Sequence, residues 1–190
     1  MKKILSSFSL ALALMSTHSL AADNYLLESK LSSVSFTTIK NQFVVEPATI
    51  NTLSGELSES GKFSIDVNLK GISTGIPIRD TRLNDIFFES VKYPDVKVSG
   101  KVDLAALSNG PKKLVIPVQV TMYGKTKSIG FPVVILKNDN YVMVSSSSSV
   151  IVGASDFGLP SENLTKLAAT VGGIKISDRV PVSLALVFKK

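Results

Sequence analysis

Gly71-Ile72-Ser73-Thr74-Gly75 has the spacing of a nucleophile elbow, Gly-x-Ser-x-Gly, in which a serine hydroxyl on a tight strand-to-helix turn attacks a carbonyl. That hydroxyl needs a base. The only histidine of the chain, His18, lies in an N-terminal stretch that reads as a removable leader, and no Ser-x-x-Lys occurs to supply a lysine instead. With no cysteine anywhere and no histidine beyond the leader, the usual ligand sets for zinc, copper, haem and iron–sulfur clusters are missing. No acidic run resembles an EF-hand loop. The reading is therefore no catalytic serine, no metal and no cofactor. Paired carboxylates, as in glycoside hydrolysis, are the remaining route to catalysis, with Asp80, Asp85, Glu89 and Asp156 as candidates. Asp80 also suits a turn cap beside Arg79 and Arg82, and Asp156 precedes Phe157-Gly158 as turn residues do. A sugar site would also want stacking aromatics, and the chain has no tryptophan. A carboxylate-based hydrolase thus ranks last.

What stands out instead is hydrocarbon. Phe36, Phe43, Phe63, Ile76, Phe87, Phe88, Phe131 and Phe157 are joined by many Val, Ile and Leu. Any one of these is core before it is a ligand contact, because small barrels are often packed solid. Between Ser73 and Gly100, however, a charged and aromatic helical segment interrupts β-patterned sequence. Pro77 fixes φ at its start, and Leu83, Phe87 and Val91 recur at helical spacing until Tyr93-Pro94 stops it. Leu83, Ile86, Phe87 and Phe88 would press inward while Arg79, Asp80 and Arg82 face the mouth, the construction of a lid over an apolar interior.

The rest of the chain is strand and turn. Phe63, Ile65, Val67 and Leu69 alternate with Lys62, Ser64, Asp66 and Asn68, giving a half-buried strand. Val96, Val98, Val102 and Leu104, and Val180 to Phe188, follow the same period. Strands near Leu114 to Met122 and Ile129 to Leu136 are apolar on both faces, so something covers their outer side or they pair in a homodimer interface. Turn signals fall at hairpin spacing at Glu59-Ser60-Gly61, Ser108-Asn109-Gly110-Pro111, Tyr123-Gly124-Lys125 and Asn138-Asp139-Asn140. Counting from Ser32 gives about eight strands, an all-β fold that suits a closed antiparallel barrel wide enough for one slender ligand. Within one of these strands Ser145 to Ser149 forms a serine run, read either as a solvent-facing stretch of small side chains or as inward room for a ligand tail.

Residues 1 to 21 have the parts of a secretory signal peptide: Lys2 and Lys3, an apolar stretch from Ile4 to Met15, and a Ser19-Leu20-Ala21 cleavage site. The mature domain would run from Ala22 to Lys190 in the periplasm, with no stable membrane anchor, since the apolar run is shorter than the ~20 residues of a span. A lipoprotein cysteine is lacking too. Nineteen basic residues would then face fifteen acidic ones, a charge of +4 scattered over strand faces and turns. That distribution argues against nucleic acid, because no basic cluster interleaves with stacking aromatics.

Three blocks give this sequence a family resemblance. They are Thr74-Gly75 with Arg79-Asp80, Phe87-Phe88 and Lys92-Tyr93-Pro94; then Val120 to Lys127 around Tyr123-Gly124; then Ala154-Ser155-Asp156-Phe157-Gly158-Leu159. In order and spacing the chain resembles the YceI-like family of lipocalin-like, polyisoprenoid-binding proteins. The resemblance implies a lipocalin-like eight-stranded barrel with a short helical lid that encloses an apolar lipid. It implies that Arg79 and Asp80 organise the mouth while Phe87, Phe88 and Phe157 touch the chain. With the inward apolar residues, the expected ligand-binding set is Phe36, Ile76, Arg79, Asp80, Leu83, Phe87, Phe88, Phe131 and Phe157. The expected function is a periplasmic carrier of an isoprenoid quinone, polyprenyl lipid or fatty acid derivative. The alternative is a stress or interaction protein whose barrel is filled.

Overall fold

Along Lys62–Asn68 the side chains of Ile65 and Val67 are buried while Lys62, Ser64 and Asp66 stay exposed, and this period-two rule builds nearly the whole molecule. The structure, a computed structural model, describes residues 24–107 and 110–190; the leader, its cleavage site and the turn residues Ser108 and Asn109 lie outside the described residues. The strand segments are β1 (Tyr25–Leu27), β2 (Ser33–Lys40), β3 (Val44–Ile50), β4 (Leu53–Leu57), β5 (Lys62–Asn68), β6 (Ile72–Ser73), β7 (Asp95–Lys101), β8 (Lys112–Met122), β9 (Lys125–Lys137), β10 (Tyr141–Ser146), β11 (Val150–Gly153) and β12 (Arg179–Lys189). Two helices interrupt them, α1 (Pro77–Arg82), which continues as a π-helical turn over Leu83–Phe87, and α2 (Ser161–Ala169).

Pairing shows that four of the strands are each broken once. β1 with β2, β3 with β4, β5 with β6, and β10 with β11 are successive halves of one barrel strand, each pair set against a shared neighbouring strand. The result is an eight-stranded antiparallel barrel of up-and-down order, closed because β12 pairs both β10–β11 and β1–β2. The first strand begins at Tyr25, ahead of the Ser32 from which the alternation is counted. Tyr123-Gly124 is a two-residue hairpin loop with φ of 50° and 75°, the mirror-image turn whose twist matches the strands it joins.

Three expectations are corrected. The serine run is not inside a strand: β10 ends at Ser146, and Ser147 to Ser149 form the bend before β11. There the Ser146 Oγ accepts from the Leu184 amide at 2.9 Å and the Ser149 and Ser183 hydroxyls meet at 2.8 Å. These hydroxyls satisfy a bend, and none of the run lines the cavity below. The helical stripe also stops early. At Phe88 the amide reaches back to the Leu83 carbonyl, the wide π turn, and Glu89 then adopts a φ of 49°, so Val91 swings out to 93 % exposure. Third, α2 has no counterpart in the strand reading, although Pro160 followed by Leu164 and Leu167 at a spacing of three is a helix signal. On β8 and β9 the outer apolar residues Val115, Val134 and Leu136 are exposed among the described residues, so nothing there covers that side.

Candidate functional site

At one end the barrel is nearly filled. Leu57, Phe63, Ile135, Val142, Leu186 and Phe188 pack around an apolar void of about 50 Å³. Above them the same inward faces surround a cavity of about 410 Å³, within the ~300–1,000 Å³ range of small-molecule sites. The two spaces share only Phe131 and Leu184, which form the floor between them. The walls come from alternate residues: Val34, Phe36 and Thr38 of β2, Val96 and Val98 of β7, Val120 and Met122 of β8, Ile129 of β9, and Val180 and Val182 of β12. Alternation alone puts these side chains on one face. Phe157 enters at the end of a short 3-10 turn, Ser155–Phe157, which Gly158 closes in the left-handed region at φ 73°.

The roof is the lid. Leu83 is buried beneath it, and the rings of Phe87 and Phe88 meet edge to face with centroids 4.7 Å apart. Leu164 and Leu167 of α2 complete the roof. Charge appears only at the mouth, where Lys40, Arg79, Arg82 and Asp178 join Ile76, Ile78, Thr170, Val171 and Ile176. Arg79 donates from Nη2 to Glu46 Oε1 at 2.9 Å, and Lys40 donates to the other oxygen of the same carboxylate. The Lys40 hydrogen bond, aided by the charges of Lys40 and Arg79, holds the Glu46 carboxyl below the usual range against the opposing effect of burial. Glu46 stands 33 residues from Arg79 in sequence, and only the β2–β3 ladder brings it to the mouth.

Of the nine expected ligand residues, Phe36, Ile76, Arg79, Leu83, Phe87, Phe88, Phe131 and Phe157 line this one cavity, and Asp80 does not. Asp80 Oδ1 accepts from the Thr74 amide at 2.9 Å and the Thr74 hydroxyl at 2.6 Å, so it ties the turn before α1 instead of pairing with Arg79 or Arg82. The other carboxylates weighed for hydrolysis lie outside the cavity lining as well. Asp85 is exposed, Asp156 faces Arg179 at 3.6 Å, and Glu89 is part of a latch; none lines the cavity. Ser73 sits in regular β6, paired with Thr49, without the strained turn of a nucleophile elbow. Ser73→Ala is accordingly expected to change stability by less than ~0.5 kcal/mol. Esterase activity present in the parent and lost in this variant would overturn that reading.

The latch escaped the sequence reading. Glu89 Oε2 accepts from the Tyr123 hydroxyl and, at 3.0 Å, from Asn163 Nδ2, which also donates to the Phe87 carbonyl at 3.1 Å. Lid, hairpin loop and α2 are thereby joined at one carboxylate, with Asn163 buried at 5 % exposure. The Tyr123 hydrogen bond, then that of Asn163, lowers the Glu89 pKa, and the same bond to Glu89 raises the Tyr123 phenol to about 12. The signs give a pH window. Glu89's contribution is present above the ordinary carboxylate pKa and lost as pH falls through its depressed value; Tyr123's is present below 10 and lost as pH rises toward about 12. Tyr123→Phe is expected to move the Glu89 carboxyl back up in an NMR titration. An unmoved titration would show that the latch does not form.

Comparison with known proteins agrees with this fold. A polyisoprenoid-binding domain from Saccharophagus degradans, implicated in plant cell wall breakdown, is 26 % identical, with a TM-score of 0.81 over 87 % of this chain and 97 % of its own. Burkholderia cenocepacia BcnA shares the fold at 16 % identity, with a TM-score of 0.65 over 85 % of this chain and 98 % of its own. No curated protein matches the chain. The YceI-like domain matches residues 25–188, from the first barrel strand to the last, and the chain therefore belongs to the YceI-like family.

Proposed function

We propose that this protein is a periplasmic lipid carrier, not an enzyme, which encloses the apolar tail of an isoprenoid quinone, a polyprenyl lipid or a fatty acid derivative. One observation carries the reading: a hollow of about 410 Å³ whose walls, floor and roof are hydrocarbon and whose charges stand only at the mouth. Each methylene buried there contributes about 0.8 kcal/mol, so a long tail is held tightly with few polar contacts. Arg79 and Arg82 at the rim suit a head group that offers carboxylate, phosphate or carbonyl oxygen. The likeness to a polyisoprenoid-binding domain at 26 % identity supports the same class of cargo. The Lys2-Lys3 leader with its Ser19-Leu20-Ala21 site supports export, and among the described residues no helix is long and apolar enough to cross a membrane.

Native purification followed by solvent extraction and mass spectrometry tests this directly. The expected result is one lipid per chain and an intact mass that begins at Ala22. Emptying the barrel should lower the melting temperature by roughly 5–10 °C for a cargo held near a hundredfold above its dissociation constant. A folded parent that yields no lipid and takes up neither quinone nor fatty acid would overturn the carrier reading in favour of a filled barrel. A self-associating role is the second reading, favoured by Val115, Val134, Leu136 and Met143, which lie exposed on the outer face of β8–β10.

A further inference from the structure

An apolar cavity explains how a tail is kept, and the rim around its mouth bears on how the tail arrives. Three pieces of chain meet there. Ile76 and Ile78 of the α1 entry both line the cavity and stand in solvent, Ile78 at 56 % exposure, and Val171 after α2 does the same. The third piece is the β2–β3 hairpin, whose tip carries Phe43 at 85 % exposure, followed by the exposed Val44 and Val45. This tip is fixed beside the mouth. The Asn41 amide donates to the Lys175 carbonyl at 2.8 Å, the Ser177 amide donates to the Ile39 carbonyl at 2.9 Å, and Lys40 bridges Ile176, itself a cavity residue. Arg79 bound to Glu46 at 2.9 Å ties α1 to the same hairpin.

Asn41 and Gln42 turn the hairpin with φ of 49° and 69°, so Phe43 projects from a short, hydrogen-bonded loop. The rim is therefore a preformed apolar crown continuous with the cavity wall. Cations outnumber acids around it: Lys40, Arg79 and Arg82 line the mouth and Lys175 is exposed next to the tip, against Asp178 in the lining and Glu46, which pairs with Lys40 and Arg79 and leaves Arg82 and Lys175 as the outward charges. Apolar side chains that project past a basic collar are the pattern that seats in the headgroup boundary of an anionic bilayer.

We propose that the mouth rim, with Phe43 and Val45 inserted and Arg82 and Lys175 against lipid phosphates, docks this protein on anionic lipid surfaces so that cargo passes between bilayer and cavity without crossing water. The function of the docked state rests on the carrier reading; docking itself does not. The rim meets the bilayer mouth-first, and the far end of the barrel near Lys62 stays in solvent.

The test uses the purified mature protein and sedimentation with vesicles of phosphatidylcholine, alone or mixed with phosphatidylglycerol. Binding to the mixed vesicles, weakened by salt, is expected, and Phe43→Ser with Val45→Ser should lower it roughly tenfold. Neither residue lines the cavity, so extractable lipid should be unchanged in this variant while its exchange with vesicles slows. The chain lacks cysteine, which allows a second measurement free of any folding ambiguity. A polarity-sensitive fluorophore on Gln42→Cys should shift blue on vesicle addition, and the same label on Lys62→Cys should not. No association with either vesicle, equal shifts at both positions, or binding that the double substitution leaves unchanged would overturn the proposal and leave a protein as the occupant of the rim. A parent that carries lipid yet ignores vesicles sinks docking alone; one that docks yet yields no lipid sinks carriage alone.

Discussion

Phe88→Asp should give a folded barrel stripped of its cargo. Phe88 lines the roof of the cavity against the Phe87 ring, 4.7 Å away between centroids, and a carboxylate there would face hydrocarbon on the cavity side. Even a neutral polar group left unpaired in such a place costs ~2–7 kcal/mol, and an ionised carboxylate costs more, enough to cut lipid occupancy by a factor of roughly ten or more. Phe88→Leu keeps the surface apolar and should retain the lipid, which separates polarity from shape. Lys62→Ala, on the outer face of β5, should do nothing. The comparison is made at matched far-ultraviolet dichroism, and equal lipid content in the Asp and Leu variants would remove Phe88 from the cargo path.

The largest effect on stability is expected from Phe157→Ala. Phe157 is 1 % exposed, the largest of the fully buried side chains, and it joins the Ser155–Phe157 turn to the barrel interior. Truncation deletes its transfer energy and widens a space the barrel cannot collapse, because the walls are held by hydrogen-bonded strand ladders. The expected loss is about 3–5 kcal/mol, or roughly 6–20 °C in melting temperature for a domain of this size. It should be measured on lipid-free protein, since bound cargo would fill part of the new volume. A shift under ~1 kcal/mol would mean that the turn relaxes into the gap. Phe43→Ala, at an 85 % exposed ring, should leave the melting temperature unchanged, although both residues are phenylalanines in one barrel.

That contrast marks the division between sequence and fold. Period-two alternation determined which residues face inward: Ile65 and Val67 could not be buried without Ser64 and Asp66 facing water. Turn chemistry determined the Tyr123-Gly124 hairpin and the Ser155–Gly158 turn, since both need the left-handed region. Eight strands of one pattern left closure as the way to satisfy the edges, and Pro77 with Leu83 and Phe87 marked the lid. Local periods carried no information about volume. Whether Phe36 borders a hollow while Phe63 packs the nearly filled end depends on all the inward side chains at one level of the barrel together. Nor could spacing bring Glu46 to Arg79, 33 residues on, or Asn163 to Glu89, 74 residues before it, because register between distant strands and helices makes those contacts. Helical period also ran past its end at Val91, where a π turn and the left-handed backbone of Glu89, held by Tyr123 and Asn163, decided the outcome. The chain's own alternation chose the barrel and its apolar face; only the closed structure decided that the face surrounds a cavity and where its mouth opens.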